Sequence, residues 1–195
     1  IGLPLTLLGL NETHTAAVVE IGMRGFHQIE AMAPIAAPSI GIVTNVGETH
    51  MELLGSLENI AKAKSELVEA IPAGGTVILN ADNEYVARMR TKAKKGVRVL
   101  TFGLDHPANV KGGNVQTDGS TTTFDVTFAG ETHPYTVAMV GRHNVENALA
   151  AIACGFAMGE TPAEIADGLT HLEATKMRFE VEDVTLVGEG ILDGR

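Results

Sequence analysis

The chain has 195 residues, 45% of them hydrophobic and 19% charged, enough for an aliphatic core in one large domain or two small ones. Aromatics make up only 4%, and 24 acidic against 14 basic residues leave a net charge of −10, which excludes a broadly basic nucleic-acid-binding surface. The lone cysteine, Cys154, excludes an internal disulfide framework and says nothing against a cytosolic home, and no apolar run reaches the roughly 18 residues of a membrane span.

The segment Ile1 to His14 is apolar but has neither the basic start nor the small-residue cleavage site of a signal peptide. Ala16 to Ile21 is a short apolar run that reads as a buried strand closing on Glu20. A helix follows and is stopped by Pro38, and Ser39 to Asn45 reads as the next strand. Ser56 to Pro72 is strongly amphipathic, with Ser56 placed to cap it. A strand ending near Asn80, a helix closed by Gly96 and a strand over Val97 to Gly103 complete the alternation. Such alternation predicts an α/β fold, with parallel strands covered by helices.

After Gly103 the texture changes to short β-rich runs broken by Gly, Asp and Pro, which predict an antiparallel subsheet. His143 to Gly159 then reads as a buried helix. Thr161 and Pro162 start another, and the tail from Ala174 reads as a linker and one further strand.

In an open parallel sheet, ligands bind beyond the carboxyl ends of the strands. Glu20, Asn45 and Asn80 fall at those ends, with Glu48 and His50 just after the second. A carboxylate closing an apolar strand is expensive unless paired or metal-bound, which marks Glu20. On a helical wheel Lys64 falls inside the apolar stripe of Leu57, Ile60, Ala61, Val68 and Ile71. A lysine there either snorkels or has a special task. Lys62 lies on the opposite face, where pairing with Glu58 and Glu66 is expected. The basic run from Arg88 to Arg98 reads as a solvated helix end, and Cys154 as a small core residue. His143, Asn144 and Asn147 read either as caps or as readers of a nucleobase edge, and Arg178 as a linker residue or an anion contact. The chain contains no Gly-Lys dipeptide and therefore no phosphate loop of the Gly-Lys-Ser/Thr kind.

Several segments, in order, resemble the Mur ligase family: IGLPLTLL (1–8), EIGMRG (20–25), TNVGETHMELLGSLENIAKAKSEL (44–67), ILNADN (78–83), GRHNVENALAA (141–151) and KMRFE (176–180). The resemblance implies the family's central domain, a mostly parallel sheet flanked by helices, related to phosphate-loop NTPases but without the loop. Residues 1–178 would form that domain, and residues 179–195 a linker and the start of another. The family's phosphate loop would lie upstream of Ile1, and these 195 residues alone are expected to be inactive.

The activity implied is ATP-dependent amide-bond formation through an acyl phosphate, in peptidoglycan synthesis. The substrates implied are UDP-N-acetylmuramoyl-tripeptide and D-alanyl-D-alanine. Glu20, His50 and a carbamylated Lys64 are implied as magnesium ligands. Asn144 and Asn147, with His143 beside them, are implied as adenine contacts, and Arg178 as a contact to the γ-phosphate. Lys64, His50 and Arg178 would carry the chemistry. A folylpolyglutamate-synthetase-like ligase, or a non-catalytic module on the same scaffold, are the alternatives.

Overall fold

Three runs rich in β-branched and aliphatic residues, Ile40–Val43 (β1), Thr76–Asn80 (β2) and Arg98–Gly103 (β3), and a more polar one, Val110–Asp118 (β4), lie side by side and parallel. The computed structural model describes residues 2–49, 51–171, 180–182 and 185–187. Thr121–Phe128 (β5) and Glu131–Val137 (β6) extend the sheet antiparallel to β4, in the order β1-β2-β3-β4-β5-β6. The predicted architecture is present: a largely parallel sheet that turns antiparallel at one side. The β5–β6 turn places Ala129 and Gly130 at φ 51 and 89, the left-handed geometry that two-residue hairpins need.

β2 is buried at every residue, because helices cover both faces of the sheet. Val77 and Leu79 point into one core with Ile60, Ala63 and Val68 of helix Leu57–Ala70 (α4) and Ile29 of helix Gln28–Ala36 (α2). Ile78 points the other way, joining Leu100 and Phe102 against Val145, Leu149 and Ile152 of helix Arg142–Met158 (α6). Helix Pro162–Thr170 (α7) adds Ile165 and Leu169 to that second core. The period-two alternation of one strand thus divides the interior into two halves.

The predicted caps are made. Ser56 accepts from the Asn59 amide, and Thr161 forms a reciprocal capping box with Glu164. Three expectations are corrected. Ala16 to Ile21 is not a strand: it pairs with no described strand, and Val18 is 91% exposed. An apolar run alone does not make a strand, because its backbone groups need a neighbouring ladder. The helix after Asn80 does not reach Gly96. It shrinks to Glu84–Arg88 (α5) and a 3-10 turn, Met89–Lys92, while Gly96 O accepts from Gly74 N.

Among the described residues the tail holds two short paired strands, Glu180–Glu182 (β7) and Thr185–Val187 (β8), rather than one. The opening apolar segment contains a helix, Gly2–Leu8 (α1). A further short helix, Met51–Leu54 (α3), precedes α4. Among the described residues no helix is long and apolar enough to cross a membrane.

Candidate nucleotide and metal site

Beyond the carboxyl ends of β1 and β2 the backbone must leave the sheet with its carbonyls unpaired. Three consecutive carbonyls after β1 are each met by a side-chain donor. Asn80 Nδ2 donates to Thr44 O at 2.9 Å, Lys64 Nζ to Asn45 O at 2.7 Å, and Asn83 Nδ2 to Val46 O at 2.9 Å. Asn83 also donates to Asn45 Oδ1 at 2.6 Å and caps α5 by accepting from Val86 N. The loop that begins with Thr44 and Asn45 is therefore clamped from β2 and from α4.

Lys64 is the inward lysine that the wheel marks. It is half-buried, and burial lowers its ammonium pKa, because the charged form loses water. Lys62 is exposed, as expected, with its Nζ 5.5 Å from the Phe26 ring centroid. Its expected pairing with Glu66 is corrected. Both Glu66 oxygens accept from the backbone of α2 and its lead-in, from His27 N at 2.7 Å and Glu30 N at 3.0 Å. A carboxylate on unsatisfied helix-start amides is better placed than one beside a solvated ammonium. Glu58 accepts from the Tyr85 hydroxyl at 3.3 Å. The basic run behaves as a solvated surface, with Arg88 paired to Glu84 and Lys92 to Glu69. Cys154 packs against the core, where burial raises its thiol pKa.

A second cluster lies at the ends of β2 and β3. The Asp82 carboxylate accepts from the amides of Leu104, Asp105 and His106 and contacts His106 Nδ1 at 3.1 Å. Burial pushes its pKa up, but these hydrogen bonds outweigh that and hold it below the usual range. Beside it, Arg142 opens α6. Its guanidinium lies 2.6 Å from Asp105, 2.9 Å from Glu146 and 3.9 Å from Asp82. Sequence reasoning missed both Asp82 and Arg142. The signals were the ILNADN and GRHN motifs themselves and the i,i+4 spacing of Arg142 and Glu146, since the other partners lie more than twenty residues apart.

The other expected site residues divide. Asn144 is not the N-cap of α6. That position is Gly141, and Asn144 Nδ2 donates back to Val140 O at 2.8 Å. His143 and Asn147 are exposed on the same first turns. Glu20 is exposed and ends no strand, so burial does not single it out and only the family motif marks it. His50 and Arg178 lie outside the described residues. No group of three His, Cys, Asp or Glu side chains among the described residues is placed to hold a metal. A groove of about 910 Å³ between α2 and α4 runs to Pro38 and Pro72, beside the other ends of β1 and β2, and does not coincide with these clusters.

Residues 1–155 match the Mur ligase middle domain. The chain is 40% identical over 200 residues to the UDP-N-acetylmuramoyl-tripeptide–D-alanyl-D-alanine ligase of Synechocystis, covering all of this chain and 41% of that protein. It is 35% identical over 181 residues to the ligase of the same name from Bacillus subtilis, covering 93% and 38%. The crystal structure of MurF from Acinetobacter baumannii superposes with a TM-score of 0.85 at 26% identity, covering 94% of this chain and 40% of that one. The chain thus spans about two fifths of the length of these relatives. With the domain match, 40% identity over the whole chain and a close structural superposition all in agreement, the chain belongs to the Mur ligase middle-domain family.

Proposed function

We propose that this chain is the nucleotide-handling part of a cytoplasmic, ATP-dependent amide ligase of peptidoglycan synthesis. It would join UDP-N-acetylmuramoyl-tripeptide to D-alanyl-D-alanine, the two substrates named by its relatives. The observation that carries the reading is Lys64, a half-buried cation aimed at the Asn45 carbonyl at the carboxyl end of β1. That is where an open α/β sheet binds ligands. A lysine that merely snorkels would reach solvent rather than a strand-end carbonyl.

In the chemistry we propose, a carboxylate oxygen of the tripeptide attacks the γ-phosphorus of ATP and ADP leaves. The amine of D-alanyl-D-alanine then attacks the acyl carbon. Phosphate departs with the original carboxylate oxygen, and the amine gives up a proton. Negative charge gathers on the transferring group, so the chain's work is positioning and charge stabilisation. We assign Arg178 to the γ-phosphate, and Asn144 and Asn147, with His143 beside them, to the adenine.

Glu20, His50 and Lys64 would hold magnesium, which would supply positive charge to offset the negative charge on the transferring phosphoryl group. A free ammonium does not suit a magnesium site, whereas a carbamate does. The lowered pKa of Lys64 favours the neutral amine that adds to carbon dioxide, giving a carbamate anion and a proton. Residues 1–178 are proposed as the domain and 179–195 as the start of a connection beyond it.

The test is phosphate release and amide formation with both substrates and ATP. The full-length protein that carries this chain should turn over, and Lys64→Arg should lose about a hundredfold or more in rate. The 195 residues alone, without a Gly-Lys phosphate loop, should not turn over. A Lys64→Arg protein that keeps the parent rate, or a parent that forms no amide, rejects the reading.

A further inference from the structure

Arg142 is in the wrong place for a helix. It occupies the first turn of α6, which has no acidic residue there and no side-chain cap at Gly141. A cation at a helix N-terminus faces the positive end of the dipole and is disfavoured there. The guanidinium is nevertheless held by carboxylates from three elements. They are Asp105 after β3 (2.6 Å), Glu146 one turn along α6 (2.9 Å) and Asp82 after β2 (3.9 Å). The strand-end side of this clamp is itself fixed. The Asp82 side chain is 9% exposed and accepts three amides from the Leu104–His106 loop.

Such a clamp adds little to folding. The Arg142 side chain is 53% exposed and that of Asp105 61%, and exposed pairs are worth little to stability. What a planar guanidinium hydrogen-bonded to Asp105 and Glu146, beside the held carboxylate of Asp82, does supply is direction. It sets the angle and height at which α6 leaves the strand ends, and the next residues on those turns are His143, Asn144 and Asn147. The Asn144 amide is already engaged with Val140 O, so its remaining oxygen, and the exposed Asn147, have their positions set by the helix start.

We propose that Arg142 is a positioning residue for nucleotide-base recognition, tying the first turn of α6 to the carboxylates of Asp82 and Asp105. This rests on the reading of Asn144 and Asn147 as adenine contacts. A displacement of about an ångström at the helix start is enough to spoil paired hydrogen bonds to a base edge.

The test uses the full-length protein, with calorimetric Kd values for ATP and GTP, KM for D-alanyl-D-alanine and thermal melting. Arg142→Met keeps the apolar stem and removes the fork. It should weaken ATP binding about tenfold, with a smaller loss for GTP, so the preference for adenine narrows. The KM for D-alanyl-D-alanine should stay within about twofold, and Tm within about 3 °C. Arg142→Lys should recover part of the ATP affinity. Asp105→Asn should weaken ATP in the same direction and add little to Arg142→Met, because the two act through one contact.

An ATP Kd unchanged by Arg142→Met overturns the proposal, as does an equal loss for ATP and GTP. Asn144→Ala and Asn147→Ala separate the two readings. If they weaken ATP and Arg142→Met does not, the base contacts stand and the positioning role falls. If they leave ATP binding intact, both fall.

Discussion

Two side chains do at the strand ends what the backbone cannot do for itself. Lys64 and Asp82 each collect groups that the sheet has left unpaired, the lysine a carbonyl and the aspartate three amides. For Asp82 the consequence is a measurable pH dependence. Its folded pKa lies below the usual 3.8, so its contribution is complete above about that pH and is lost as pH falls through the depressed value. Asp82→Asn replaces one acceptor oxygen by an NH2 that faces backbone donors. It should cost about 1–3 kcal/mol at pH 7. The deficit should shrink as the parent's carboxylate is protonated in acid. Urea unfolding at pH 7 and at several values below 4 checks this, and a deficit constant with pH contradicts it. Lys64 was legible from the sequence because its neighbours on the wheel are apolar. Asp82 was not, because its ligands are amides 22 to 24 residues downstream and an amide leaves no mark on composition.

Elements were legible where local chemistry closes them and illegible where a distant partner does. Ser56 and Thr161 announce their own boundaries and cap where expected, and the Ala129–Gly130 turn falls among the glycine-broken runs that signal hairpins. Ala16 to Ile21 has strand composition but no ladder among the described residues, so its apolarity misled. Glu66 looked like a partner for Lys62, yet it serves the start of α2, a helix more than thirty residues away. The junction of α4 with β2 depends on a position that no periodicity marks. A Cβ on Gly75 would stand 2.7 Å from Ser39 O, 2.7 Å from Ile71 Cγ2 and 3.0 Å from Pro72 O. Two of those atoms are backbone, and Ser39 O also accepts from Thr76 N, so they have little freedom to retreat. Gly75→Ala should therefore destabilise by about 1–3 kcal/mol, as overpacking does, although alanine normally suits a strand edge better than glycine. Gly113→Ala is the control, since nothing lies within 4 Å of its Cβ position. Equal midpoints for the two variants in guanidinium would count against this account of the junction.

At the scale of the molecule, one strand joins two cores. Val77 and Leu79 belong to the half built by α2 and α4, which also carries Lys64, and Ile78 to the half built by α6 and α7. The two clusters at the strand ends are distributed in the same way. Lys64 reaches the loop after β1 from one face, and Arg142 reaches Asp82 and Asp105 from the other. Asn80 to Asn83, at the end of β2, contacts both. Holding a site together across a sheet requires that neither half unfold while the other remains. Because β2 is buried on both faces, losing its pairing exposes both cores at once. Ile78→Ala and Leu79→Ala should each destabilise by about 2–5 kcal/mol, and should do so through a single transition. Far-ultraviolet circular dichroism and hydrogen exchange of amides in α4 and α6 distinguish the cases. Coincident loss of protection in both helices, whichever residue is changed, is the expected result. If Ile78→Ala releases α6 while α4 keeps the parent's protection, the halves are separate units, and the strand-end contacts would have to be formed anew each time one of them closed.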